Sequence, residues 1–127
     1  MTMPTNTPQT LARWLWMAAL LFLQVPMVHA AEEFLEFEIG GQARRVLLFV
    51  PDAPATGPRT LMVVFHGRGD DDRAFANAVR LHKDWPDAIV AYPRGEIREA
   101  TKMRGWQYRV GDQGDRDLAL TDRLLEE

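Results

Sequence analysis

Few residues of this chain combine the types and spacing that chemistry needs, and most of them lie in one stretch. Residues 61–72 read Leu-Met-Val-Val-Phe-His-Gly-Arg-Gly-Asp-Asp-Asp. A continuous apolar run stops at His66-Gly67, passes a second glycine and enters three aspartates. That pattern predicts a fully buried strand, a tight turn and the start of a helix. Such a junction presents backbone N–H groups at a helix N-terminus, where negative charge is stabilised. The turn His66-Gly67-Arg68-Gly69 therefore reads as half of an oxyanion hole. The chain has no Ser and no Cys, so the usual nucleophilic partner of such a hole is missing.

The other polar clusters point to structure rather than chemistry. His66 reads as a hydrogen-bonding residue that orients its loop rather than as an acid–base group. The three aspartates 70–72 are successive, which prevents them from converging on one cation, so N-capping and dipole complementarity are their expected roles. Asp112, Asp115 and Asp117 miss the one-three-five spacing of a calcium loop and read as solvated caps. The three histidines, His29, His66 and His82, fit no metal motif. Neither a metal nor a cofactor is expected.

Composition bounds the elements that must position the turn. With 127 residues there is room for one domain at most. The hydrophobic share of 46% and charged share of 26% are those of an ordinary globular chain. A net charge of −3, with no Lys/Arg cluster, argues against a nucleic-acid partner. The absence of Cys removes disulfides and thiolate metal sites.

The N-terminus reads as an export signal covering residues 1–30. Residues 1–10 are polar, Arg13 carries the one positive side chain there, and Trp14 to Leu23 is a ten-residue apolar run. Pro26 breaks the run, and Val28-His29-Ala30 offers small residues for cleavage after Ala30. The run is shorter than the about 20 residues a membrane span needs, and no twin-Arg pair is present. The product is expected to be secreted or periplasmic, without a stable membrane anchor after cleavage.

From Glu33 onward, Leu35, Phe37 and Ile39 alternate with glutamates, predicting a half-exposed strand. Gly40-Gly41 turns it into a second strand over Arg45 to Val50. Thr60 to Phe65 is the expected buried third strand. Asp72 is placed to cap a helix facing inward with Phe75, Ala78, Val79 and His82. Trp85 is a core anchor at its exit, and Ala88 to Tyr92 is a fourth strand. Arg94 to Gly114 reads as a long loop, and Asp115 or Asp117 caps a last helix bearing Leu118, Thr121, Leu124 and Leu125. That helix is still running at Glu127, where two glutamates oppose the helix dipole. A hairpin followed by strand-helix-strand-helix implies an α/β sheet with right-handed crossovers. Four strands and so little helix leave sheet uncovered, which predicts poor stability and an exposed edge or face prone to association.

Several pieces in this order resemble a known family. They are Phe49-Val50-Pro51, His66-Gly67-Arg68-Gly69, Tyr92-Pro93-Arg94-Gly95, Gly105-Trp106-Gln107 and Gly114-Asp115-Arg116-Asp117-Leu118. Together they resemble the secreted α/β-hydrolases of the polyhydroxybutyrate depolymerase and feruloyl esterase group, over about Phe34 to Glu127. The resemblance implies that residues 31–127 form the N-terminal part of an α/β-hydrolase domain, a hairpin plus β-α-β-α, truncated before the nucleophile elbow. In that fold the G-x-S-x-G nucleophile, then the acid and the histidine, come later in the chain, so all three are expected beyond Glu127.

The resemblance also implies roles for the residues present. The Arg68 backbone N–H would point at the carbonyl oxygen under attack, with His66, Gly67 and Gly69 shaping the turn. Trp106 and Tyr108 would either line an acyl or aromatic pocket or pack the loop onto the sheet. The implied function is that of a carboxylic-ester hydrolase acting on a polyester or an acylated carbohydrate. This chain alone is expected to be inactive. The alternatives are an exported, non-catalytic α/β binding or structural protein, and a truncated reading frame without a stable product.

Overall fold

The structure, a computed structural model, describes residues 30–127. The expected export signal falls almost wholly on residues 1–29 and so lies outside the described residues; the cut expected after Ala30 would fall one residue inside the first strand.

Strand β1 (Ala30–Ile39) and strand β2 (Gln42–Pro51) form one long antiparallel hairpin, in register from Ile39↔Gln42 to Ala30↔Pro51. Its two-residue turn needs positive φ twice, and Gly40 (59°) and Gly41 (78°) supply it without a Cβ penalty. β4 (Ile89–Pro93) pairs antiparallel with β2, and β3 (Leu61–Val63) pairs parallel with β4, giving the order β1-β2-β4-β3. β5 (Glu96–Arg98) and β6 (Met103–Gly105) form a separate antiparallel ribbon. Among the described residues there are three α-helices, α1 (Asp72–Val79), α2 (Leu81–Asp84) and α3 (Arg116–Glu126), with a short 3-10 segment at Asp112–Asp115 before the last.

Side-chain alternation splits the core across the sheet. Phe37, Ile39, Val46, Leu48 and Ala91 pack with Leu120 and Leu124 of α3 on one face. Leu47, Phe49, Val90 and Tyr92 pack with Ala76 of α1 on the other, with Leu81 of α2 against them. β2 is interior and covered on both faces, so Val46 to Phe49 are buried without a break.

This architecture corrects the expected fold class. The chain is a small β-rich domain of six strands with short helices, and not a partial α/β-hydrolase built of β-α-β-α units. The long hairpin dominates the sheet, and parallel pairing is confined to three residue pairs between β3 and β4. After β4 the chain does not enter a second crossover helix; the segment expected as a loop, Arg94 to Gly114, holds the β5–β6 ribbon instead.

Several local expectations change with it. The apolar run Thr60 to Phe65 is not a fully buried strand. The strand proper is Leu61–Val63, at an edge beside β4 among the described residues, and Phe65 is exposed. Asp71, not Asp72, caps α1, its carboxylate accepting from Ala74 N at 2.9 Å. Arg80 at φ 53° separates α1 from α2, and on α1 Ala76 is buried while Ala78 is exposed. Trp85 is 58% exposed and anchors no core. On α3 the buried positions are Asp117, Leu120 and Leu124, while Leu118 and Leu125 face solvent. Both sheet faces carry a helix, although an apolar cleft of about 290 Å³ stays open between Leu35, Leu61, Ile89 and Leu124.

Candidate functional site

The turn that follows β3 is held from three directions. Val64 N donates to Ala91 O at 2.8 Å, which extends the strand pairing one residue past Val63. His66 is then buried beneath the chain leaving β4. Its Nε2 accepts from Gly95 N at 2.9 Å, and its Nδ1 lies 2.7 Å from Gly67 O. These two bonds fix one neutral tautomer: Nδ1–H donates to Gly67 O and Nε2 is the acceptor. Both ring nitrogens are in use, so the imidazole braces the turn and has no nitrogen left for a substrate.

Gly95 is the residue that makes this contact possible. A Cβ there would stand 2.9 Å from Gly105 O and 3.1 Å from the His66 ring. Trp106, just after β6, closes the other side; its Nε1 donates to His66 O at 2.9 Å and its ring meets Phe65 edge-on with centroids 4.9 Å apart. Gly69 N donates to Arg104 O at 2.9 Å, tying the turn to the β5–β6 ribbon. Gly69 has φ 84°, a conformation that favours glycine. Gly67 has neither a positive φ nor a neighbour within 4 Å of an added Cβ, so the turn does not need its lack of a side chain.

Between these fixed points Arg68 is exposed, and no hydrogen bond among the described residues uses its backbone N–H. The amide sits three residues before the Asp71 cap, so it precedes the helix instead of belonging to its first turn. Nearby charge is largely neutralised. Asp72 is fully buried and takes Arg45 in a bidentate pair at 2.9 and 3.0 Å, with Arg94 Nε at 3.9 Å. Asp70 Oδ1 accepts from Asp71 N. The Asp71 carboxyl is held below its ordinary value, chiefly by the hydrogen bond from Ala74 N.

No protein-family model, curated protein or solved structure matches this chain. The site must therefore be read from its own geometry.

His66, Gly67, Arg68, Gly69 and Trp106 come together in one place. Tyr108 does not join them; it is 72% exposed, with the Arg98 guanidinium 4.2 Å above its ring. Of the two readings of the aromatic pair, Trp106 packs and pins the turn, and Tyr108 stacks at the surface. The remaining acids serve turns: Asp112 accepts from Arg109 N, Asp115 from Gly111 N and Gln107 Nε2, and Asp117 from Gln107 N and Arg44. Among the described residues no three His, Asp or Glu side chains are placed to share a metal ion, and no helix is long and apolar enough to cross a membrane. Sequence reasoning missed Gly95 and Arg104 as supports of the turn. The signal for Gly95 was its place two residues after the proline that ends an apolar strand; nothing marked Arg104, which accepts from Gly69 N through its carbonyl and donates from its guanidinium to Gly95 O.

Proposed function

We propose that the turn at His66–Gly69 is the oxyanion-stabilising arm of a carboxylic-ester hydrolase of the polyester depolymerase or feruloyl esterase kind, exported to the periplasm or beyond. The observation that carries this reading is the Arg68 N–H, exposed and without an internal acceptor, in a turn held through His66 Nε2 and Gly69 N. Such a donor aimed at a carbonyl oxygen strengthens its bond as negative charge develops there, and is worth roughly 2.7–4 kcal/mol in the transition state. His66 orients the turn and moves no proton. The chain has no Ser and no Cys, so a serine nucleophile would come from outside these 127 residues, and the chain by itself turns over no ester.

The test is a titration of the 15N-labelled chain with an alkyl methylphosphonate anion, a mimic of the tetrahedral intermediate. The Arg68 amide resonance is expected to move downfield saturably, ahead of the other amides of the turn. An Arg68 amide that stays still overturns the reading, as does hydrolysis of p-nitrophenyl acetate that disappears on His66→Asn. A G-x-S-x-G motif encoded beyond the Glu127 codon would add independent support. The second reading, an exported non-catalytic binding or structural protein, draws on the full engagement of the His66 ring. It predicts a folded chain whose Arg68 amide ignores the phosphonate.

A further inference from the structure

The arginines of this chain divide sharply by what they touch. Among those withdrawn from the surface, Arg44 reaches Asp117, Glu96 and two carbonyls, Arg45 reaches Asp72, and Arg59 donates to Pro51 O and Ala53 O. Arg104 donates to Gly95 O, and Arg94 lies 3.9 Å from Asp72. Arg98 and Arg116 are the exceptions. Neither side chain makes a hydrogen bond or ion pair among the described residues, yet Arg98 Nε and Arg116 Nε and Nη2 are out of contact with solvent. A buried donor to which nothing accepts is costly, and more so when it is charged.

The two belong to one cleft. It has a volume of about 280 Å³, lies between the β5–β6 ribbon and the start of α3, and is lined by Arg98, Arg116 and Gln113 together with Ile97 and Ala100. The one acid on its wall, Glu99, is itself paired with Lys102. Two guanidinium groups thus border the same space with no carboxylate assigned to either. The Arg98 guanidinium also lies 4.2 Å from the Tyr108 ring centroid, and its planar fork suits recognition of paired oxygens.

We infer that the cleft between Arg98 and Arg116 is a binding site for a small oxyanion, a carboxylate or phosphate group. The anion accepts from the guanidinium nitrogens that stay in contact with solvent, Arg98 Nη1 and Nη2 and Arg116 Nη1, none of which has an internal acceptor, and relieves the repulsion between the two cations. The site is separate from the Arg68 turn and does not depend on how that turn functions.

The experiment follows the Nε–H resonances of Arg98 and Arg116 in the full 15N-labelled chain as sodium phosphate, sodium acetate or sodium chloride is added at matched ionic strength. Both resonances are expected to shift together and saturate with phosphate, acetate or both, and to stay in place with chloride; the salt that saturates at the lower concentration names the source of the oxygens. Arg116→Gln should abolish the saturable shift of Arg98. Arg98→Lys keeps the charge but not the fork, and should weaken the response by about tenfold or more. Shifts that are linear and equal in all three salts overturn the inference. So does a saturable response that survives both substitutions.

Discussion

The two longer helices begin in opposite ways. α1 is capped by its own neighbour: Asp71, in extended backbone, accepts from Ala74 N three residues on. α3 starts from Asp115 in left-handed backbone, with no side-chain cap. Its first turn is held from a distance, where Gln107 Oε1 accepts from Asp117 N and the Asp117 carboxylate accepts from Gln107 N. Each helix then places one first-turn aspartate under the sheet, Asp72 for α1 and Asp117 for α3. Successive residues of β2 meet them. Arg45 turns to one face and pairs with Asp72; Arg44 turns to the other and pairs with Asp117 at 2.8 Å. One dipeptide thus pins a helix on each face. The pairs differ in their surroundings: the Arg44 side chain is 0% exposed and that of Arg45 is 32%.

This difference sets the order of effects. Arg44→Met leaves Asp117 and Glu96 without their cation and two carbonyls without a donor. Breaking a buried pair from one side should cost about 3–5 kcal/mol, measured by urea denaturation of the whole chain. Arg45→Met leaves the Asp72 carboxylate buried, but Arg94 is near enough to move toward it, and a smaller loss of about 1–3 kcal/mol is expected. Equal losses would show that the burial of Arg44 adds nothing to its pair, and a reversed order would break the comparison.

The same contrast explains what the sequence made legible. Local devices could be read directly. The Gly40-Gly41 turn and the alternation of Leu35, Phe37 and Ile39 act within a few residues, and the α1 cap fell to Asp71, one residue before the expected Asp72. Burial set by distant partners could not be read. Leu61 to Phe65 has the composition of an interior strand, yet whether a strand lies inside or at an edge depends on what pairs with it, and only β4 does. Glu96–Arg98 and Met103–Gly105 are too short for a period to show, so the ribbon passed for a loop. At the candidate site the turn itself is visible as His66-Gly67-Arg68-Gly69, but the contacts that hold it come from Gly95, Arg104 and Trp106, 29 to 40 residues away. The buried Arg44–Asp117 pair joins residues 73 positions apart, and nothing local announces it.

A cap made by a neighbour should be the weaker constraint. Asp71→Ala removes one capping bond from a partly exposed helix end and should lower stability by about 1 kcal/mol. The carboxyl of Asp71 is held below its ordinary value in the folded state, so its contribution is complete above the unfolded carboxylate value of 3.8. It fades as pH falls through the lower folded value. The gap between Asp71→Ala and the parent chain should therefore be constant from neutrality to about pH 5 and close only in strong acid. A gap that closes nearer neutrality would mean that some group other than the cap carries the effect.

The smallest effect belongs to His82, on α2, beside the α1 face of the sheet. Its ring stacks on Phe49 with centroids 3.7 Å apart, and Nδ1 lies 3.3 Å from Tyr92 Oη. Burial pushes the imidazole below its ordinary 6.5, and the neighbouring Lys83 adds to the push. Above 6.5 the ring is neutral in both folded and unfolded chains and contributes no pH dependence. As pH falls below that value the unfolded chain takes up the proton first, so stability declines until the folded ring also titrates. His82→Gln should flatten this limb of the stability curve while leaving the carboxylate limb at lower pH intact. If the limb survives the substitution, the proton that destabilises the fold binds elsewhere, and the α1 face loses the pH sensitivity assigned to it. If the limb vanishes, the two faces differ in kind: the Arg44 face rests on a buried ion pair, and the His82 face on a ring that must stay neutral.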